Sequence, residues 1–233
     1  MRPHRITVLL LSLLPAAPVS ANLDVHPMRV HVDAGRTTSI RVQAQTPRTQ
    51  YVKATVKRVV SPATDVEHEV DAPPGDAAAI AVTPGMFALA GGGSRLVRVI
   101  ALTPVEQETA FRVYFEGVRG VDPDAPDDTA ETASATIGVS LVWGVLVNVL
   151  PAEGRVEMQL ADGSLHNRGT LRLGIDRIEH CAGTTCTTHD IERSVYPGDA
   201  LALPFQPAAG ARLRVHYRLS RDGYREHQQT LLP

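Results

Sequence analysis

Two cysteines and two histidines lie close together in the sequence, in a pattern that could carry chemistry. Cys181 and Cys186 stand in the stretch H-C-A-G-T-T-C-T-T-H, which begins at His180 and ends at His189. In an oxidising compartment such cysteines form a short-range disulfide. The same four side chains also have a spacing that a zinc ion would accept. The compartment in which the protein works therefore decides between the two.

The first 21 residues have the pattern of a secretory signal peptide. A short basic start, R-P-H-R, precedes the apolar run Ile6–Leu14, and V-S-A at 19–21 supplies small residues for cleavage. This run is too short to span a bilayer, so we expect no membrane insertion. We expect cleavage after Ala21 and an exported mature chain. Export favours the Cys181–Cys186 disulfide over the zinc site, and we expect no metal.

No other cluster of polar side chains matches a catalytic pattern. The nucleophile-elbow, phosphate-loop and zinc-protease motifs are absent from the sequence. The aspartates between Asp122 and Asp128 match no calcium loop and are interpreted as a solvated charge run. A net charge of −2 gives no reason to expect nucleic acid as a partner. We therefore expect neither an enzyme nor a cofactor.

One long apolar stretch, Ala133–Pro151, organises the rest of the chain. It has no charged side chain, and apolar residues occupy every second position from Ile137 to Val149. This alternation, rich in β-branched residues, predicts a strand roughly three times the usual length. Pro151 ends it, since proline cannot donate to a ladder. The strand is either a buried core strand or an edge strand lent to another protein.

The remaining segments predict an all-β protein. About seven strands with turn signals between them precede residue 150, beginning with a single strand at Leu23–Asp33 that has a bulge or edge position at Pro27. A smaller set follows, with the cysteine loop and a turn-rich return at Arg193–Asp199. We expect two β-sandwich domains, residues 22–150 and 151–233, after the signal peptide 1–21.

Several segments resemble the periplasmic pilus chaperones of the chaperone–usher pathway, which have the PapD-like fold. They are T-P-G-M-F-A-L at 83–89, the glycines 91–93 followed by R-L-V-R-V-I, and the strand Phe111–Glu116. W-G-V-L-V-N-V-L-P at 143–151, L-A-D-G-S-L-H-N-R-G-T-L-R-L at 160–173 and the C-x4-C that follows are similar to the branch that includes the chaperones of the Escherichia coli common pilus. The resemblance covers essentially the whole mature chain.

The resemblance implies a fold, a place and a function. The fold is two immunoglobulin-like domains in an L-shaped (boomerang) arrangement, and the place is the periplasm. The function is to stabilise unassembled pilin subunits by donor-strand complementation and to deliver them to an outer-membrane usher. The donated side chains carry over to Ile137, Val139, Leu141 and Trp143. Whether the free chain caps its own strand as a dimer is left open.

The resemblance also implies an anchor for the C-terminal carboxylate of the pilin. In the family this anchor is a basic pair, and Arg29 in R-V-H-V-D-A-G matches its arginine. The matching lysine is missing, because that region reads Val145-Leu146-Val147-Asn148. Arg112 is one candidate to substitute for it, and backbone N–H groups are another.

Two other classes of function remain as alternatives. One is a secreted structural or adhesive β-sandwich protein of a surface fibre. In that case we expect a donor extension of its own, whereas here a strand begins soon after Asn22. The other is a carbohydrate-binding module, which the low aromatic content of 4% argues against.

Overall fold

The computed structural model describes residues 22–72, 80–118, 141–208 and 210–232. Within these ranges the chain is almost entirely strand, as the alternating pattern predicts, with a single 3-10 turn at Ser220–Asp222. The signal peptide predicted over 1–21 lies outside the described residues. No helix in the described ranges is long and apolar enough to cross a membrane.

The first half of the chain folds into two sheets that pack on each other. Its strands are β1 (Leu23–His26), β2 (Arg29–Asp33), β3 (Thr37–Ala44), β4 (Gln50–Val60), β5 (His68–Asp71), β6 (Ile80–Thr83), β7 (Met86–Leu89), β8 (Ser94–Ala101), β9 (Thr109–Val118) and β10 (Val142–Leu150). The first sheet has the order β1-β3-β8-β6, and the second has the order β2-β10-β9-β4-β5, with β7 also paired to β4.

The predicted opening strand Leu23–Asp33 is two strands, and this expectation was wrong. β1 pairs with β3 in the first sheet, whereas β2 pairs with β10 in the second. The break falls at Pro27, which cannot donate to a ladder. The chain therefore changes sheets here, and β2 reaches the organising strand.

The second half forms two smaller sheets. Its strands are β11 (Met158–Ala161), β12 (Ser164–Asn167), β13 (Leu173–Ala182), β14 (Thr185–Val195), β15 (Ala200–Ala202), β16 (Arg212–Arg218) and β17 (Glu226–Leu231). The third sheet has the order β11-β12-β15 and the fourth β14-β13-β16-β17. β14 was not predicted: sequence analysis placed the cysteine loop and a turn-rich return there.

Each half buries an apolar core of its own. The first core contains alternate residues of β3, β8, β9 and β10, and the second alternate residues of β13 and β16. The predicted domain boundary after Leu150 lies between Val149, the last residue of the first core, and Met158, the first residue of the second. The exact extents 22–150 and 151–233 stay predictions. So does the L-shaped arrangement.

Candidate functional site

The apolar face of β10 emerges from the first core toward the N-terminal end of the strand. Val145, Val147 and Val149 are buried in that core. Trp143, next on the same face, is only partly buried against it. Leu141 precedes the strand at the same alternation and is 44% exposed. A face that begins as core thus ends as exposed apolar surface.

β10 also has a free edge at this end. β9 pairs with it antiparallel from Val142 to Val149, while β2 pairs with it parallel only from Leu146 to Leu150. Among the strands that the structure describes, none pairs with Val142–Val145 on the β2 side. Val142 itself is 48% exposed. Unpaired backbone groups beside exposed apolar side chains make this end a template for another strand.

The predicted donor residues are only partly within the described ranges. Ile137 and Val139 lie outside them. Leu141 is exposed as a donated side chain would need to be, whereas Trp143 packs partly on the chain's own core. The assignment of all four as donor residues stays a prediction.

Arg29 stands where the double pairing of β10 begins. It is the first residue of β2 and lies directly opposite Leu146. It is exposed, and no carboxylate in the described part of the chain pairs with it. The carbon of its guanidinium group lies 5.8 Å from the centroid of the Tyr224 ring. The arginine matched to the family's anchor therefore retains an uncompensated charge.

Arg112 lies on the other side of Leu146, in the same row across the sheet. Its guanidinium lies 2.7 Å from Oε1 of Glu69 and 3.4 Å from Oε1 of Glu67. Burial opposes its charge, but the interactions with Tyr114, Glu69 and Glu67 outweigh burial and raise the pKa of Arg112. The candidate substitute for the missing lysine is thus already held by two carboxylates.

Gly144 makes room for these side chains over β10. It pairs with Tyr114, whose hydroxyl donates to Glu69, 2.7 Å from Oε1. A Cβ atom at position 144 would lie 2.9 Å from Cε1 of Tyr114 and 3.1 Å from Cδ of Arg112. A glycine inside a strand often marks such a close approach.

A buried polar cluster joins the two halves of the chain, and sequence analysis missed it. The Glu108 carboxylate accepts hydrogen bonds from Nδ2 of Asn148, from Oγ of Ser220 and from the backbone N–H of Arg172. The Arg172 guanidinium donates to Oγ of Ser194 and has Nε 3.8 Å from Oε1 of Glu108. Glu108 and Arg172 are 4% and 3% exposed.

Tyr196 borders this cluster and shows how dry it is. Its hydroxyl accepts from Nδ2 of Asn148 at 3.3 Å, and its ring packs with Val59 and Ala110 of the first domain. Burial raises the pKa of Tyr196 to about 12, partly offset by the nearby charge of Arg172. An amide at position 148, inside an otherwise apolar run, was the one sequence signal for such a cluster, since buried amides need partners.

The predicted disulfide is confirmed. Cys181 and Cys186 are directly opposite each other on β13 and β14, with an S–S distance of 2.04 Å. Both sulfurs are therefore taken, and the zinc alternative is wrong. The two histidine rings stack on Phe205 instead, at centroid distances of 5.0 Å for His180 and 4.1 Å for His189. The aspartates of the predicted acidic run lie outside the described residues.

The fold matches solved chaperone structures. A crystal structure of the class 5 fimbriae chaperone CfaA superposes with a TM-score of 0.74 at 23% identity, covering 91% of this chain and all of that one. A structure of the Salmonella enterica SafA pilin in complex with the SafB chaperone gives a TM-score of 0.52 at 14% identity, covering 93% of this chain and 99% of that one. The architecture is thus that of a two-domain, PapD-like protein.

Sequence comparison supplies the family. The chain is 31% identical over 205 residues to a CS1 fimbrial protein of Escherichia coli, one described as a fimbrial subunit, and the match covers 82% of this chain and 84% of that protein. No family model matches. The chain belongs to the family of this CS1 fimbrial protein, within the PapD-like chaperones of the chaperone–usher type, and the predicted family is confirmed. The finer placement beside the common pilus branch stays a prediction.

Proposed function

We propose that this protein is a periplasmic chaperone that holds unassembled fimbrial subunits by lending them the strand that ends in β10, and that delivers them to an outer-membrane usher. The observation that carries the proposal is the free, apolar end of β10. Membership in the family of a fimbrial protein, and a fold seen in a pilin–chaperone complex, support it.

The geometry of β10 and β2 indicates how a pilin strand would lie. A strand added along the free edge at Val142–Val145 would be collinear with β2 and would end at Arg29. If its C-terminal carboxylate meets Arg29, the added strand runs in the same direction as β10. The guanidinium then binds the carboxylate in a charge-assisted contact. The anchor and the donor strand are therefore parts of one site.

Apolar burial would stabilise the complex. Leu141, together with Ile137 and Val139 before it, would enter the open core of the pilin. Each such side chain contributes ~1.5–3 kcal/mol when fully buried, before the ordering of the strand is subtracted. No nucleotide and no bond-making step is needed for capture.

Co-expression with candidate pilins tests the proposal. We expect the wild-type chain to purify as a one-to-one complex and Leu141→Asp to lose it, because a buried carboxylate without a partner is strongly unfavourable. Leu96→Asp is the matched control, since Leu96 is 56% exposed on β8 of the other sheet. Circular dichroism should show the same fold for all three proteins.

The outcomes separate the alternatives. Loss of the complex in Leu141→Asp alone supports strand donation. A well-folded wild type that captures no pilin would favour the structural or adhesive protein of a surface fibre. An unfolded Leu141→Asp would mean that this face belongs to the chain's own core.

Export is a further part of the proposal. Cleavage after Ala21 would release a mature chain that begins at Asn22, just before β1. Mass spectrometry of the protein from the periplasmic fraction should give an N-terminus at Asn22. Recovery of the uncleaved chain in the cytoplasm would contradict it.

A further inference from the structure

Tyr224 has an unusual backbone conformation at the junction of the two domains. It follows the 3-10 turn Ser220–Asp222, with φ of 63° after Gly223 at 74°. Its backbone N–H donates to the carbonyl of Leu219 at 3.0 Å. A bulky residue in the left-handed region is strained, and such strain persists where surrounding contacts require it. The ring of Tyr224 is the feature that makes those contacts.

Two arginines from different domains approach this ring. The guanidinium carbons of Arg29 and Arg172 each lie 5.8 Å from its centroid, within the range of a cation–π interaction. Arg172 is buried and fixed by Ser194 and by Glu108. Arg29 is exposed, and the ring is the partner that the structure gives its charge. The ring thus connects a rigid arginine to the free one.

The hydroxyl of Tyr224 takes no part in this arrangement. It is buried and has no hydrogen-bond partner within the described ranges. A buried hydroxyl without a partner is unfavourable, so it does not explain why the side chain occupies this position. The aromatic face is therefore the part of the side chain that acts on Arg29.

We propose that Tyr224 is a positioning residue for the carboxylate anchor, holding the guanidinium of Arg29 at the start of β2. This inference rests on the proposed function. The second cation of the family's pair is missing, because Leu146 occupies that place. A single arginine binds a carboxylate better when its side chain is already ordered, since less freedom is lost on binding. Tyr224 supplies that order from the second domain.

Two substitutions separate the ring from the hydroxyl. Tyr224→Phe keeps the ring and removes the unpartnered hydroxyl. Tyr224→Asn removes the ring, and asparagine is among the residues that tolerate the left-handed backbone. The first readout needs no pilin: the Nε–H signal of Arg29 in the NMR spectrum of the mature chain, assigned with Arg29→Lys.

The spectrum tests the contact directly. We expect the ring to shift the Arg29 signal, and we expect that shift to remain in Tyr224→Phe and to disappear in Tyr224→Asn. An Arg29 signal unchanged in Tyr224→Asn would overturn the proposal, provided that the remaining spectrum shows an intact fold. This result is independent of whether any pilin binds.

Affinity for a pilin captured by the wild type tests the consequence. We expect Tyr224→Asn to weaken binding about tenfold, as a partly desolvated cation–π contact allows, and Tyr224→Phe to bind like the wild type. In an Arg29→Ala background, Tyr224→Asn should cause no further loss. An equal loss in both backgrounds would show a merely structural role and overturn the proposal. A wild type that captures no pilin counts against the proposed function, and the spectrum alone then decides on Tyr224.

Discussion

At the scale of single residues, the two arginines beside Leu146 differ in what they contact. Arg29 has an aromatic ring beside it, whereas Arg112 has Glu67 and Glu69 within 3.4 Å. A carboxylate approaching Arg112 would have to compete with two others that are already placed. The charge available to a ligand is therefore that of Arg29.

Replacing each arginine tests this difference. We expect Arg29→Ala to weaken pilin capture by about 1.5–3 kcal/mol, the usual range for a hydrogen bond to a charged group. Arg112→Ala is the matched control and should change affinity little. Titration calorimetry with a captured pilin measures both. A larger loss for Arg112→Ala than for Arg29→Ala would contradict the assignment.

Tyr196 predicts a pH dependence of stability. Its pKa is raised to about 12, so between about pH 10 and pH 12 the unfolded chain loses this proton while the folded chain keeps it. The contribution is full below pH 10 and is lost as the pH rises through that window, by roughly 2 kcal/mol. Urea unfolding of Tyr196→Phe should show a shallower decline over this range. Parallel curves for the two proteins would contradict it.

Sequence reasoning found some of these residues and missed others, for a physical reason. The cysteines are neighbours in sequence, and Leu141 lies in a visible alternation. Glu108 and Tyr224 meet their partners only through the packing of two domains. Nothing local in the sequence marks such partners, since each is a common residue type on a loop.

At the scale of elements, β10 combines three environments in one strand. Its C-terminal part is paired on both sides, its N-terminal part on one side only, and Gly144 lies where Tyr114 and Arg112 cover it. The glycine keeps these two side chains against Glu69. Its absence of a side chain is thus a packing requirement of the second sheet.

A larger residue at this glycine should disturb the sheet. We expect Gly144→Val to destabilise the chain by about 1–3 kcal/mol, the usual cost of overpacking. Gly117→Val is the control, because a Cβ atom at Gly117 on β9 would meet only Oε1 of Gln50, at 3.9 Å. Urea unfolding at pH 7 measures both. Equal stability of the two variants would contradict the packing argument.

Alternation predicted most strands, and it failed where side chains were polar or where the chain changed sheets. β4 and β9 have the predicted bounds. β14 was missed because it is a sheet edge, rich in exposed threonines and charges, which resembles a loop in sequence. The break at Pro27 was read as a bulge, since the sequence does not show that the two sides of a proline enter different sheets.

At the scale of the whole molecule, the Glu108 cluster connects the domains through polar contacts that are shielded from water. Glu108 belongs to the first domain, and Arg172 and Ser220 to the second. A buried ion pair of this kind is strongly destabilising when one partner is lost. The relative placement of Arg29 and Tyr224 depends on the same junction.

Neutralising Glu108 should weaken this junction. We expect Glu108→Gln to lower the free energy of unfolding by about 3 kcal/mol, because Arg172 keeps a buried charge without a counter-charge. Glu106→Gln is the control, since Glu106 is exposed two residues away. Urea unfolding at pH 7 measures the difference. A Glu108→Gln protein as stable as the control would show that the cluster does not hold the domains.

The central claim is that the free end of the organising strand becomes paired when a pilin binds. Backbone hydrogen exchange, measured on the free chain and on its complex with a captured pilin, tests it most directly. We predict that amides from Ile137 to Val145 gain protection in the complex, while Leu146–Leu150, already paired on both sides, change little. A stable complex in which residues 137–145 gain no protection would contradict strand donation.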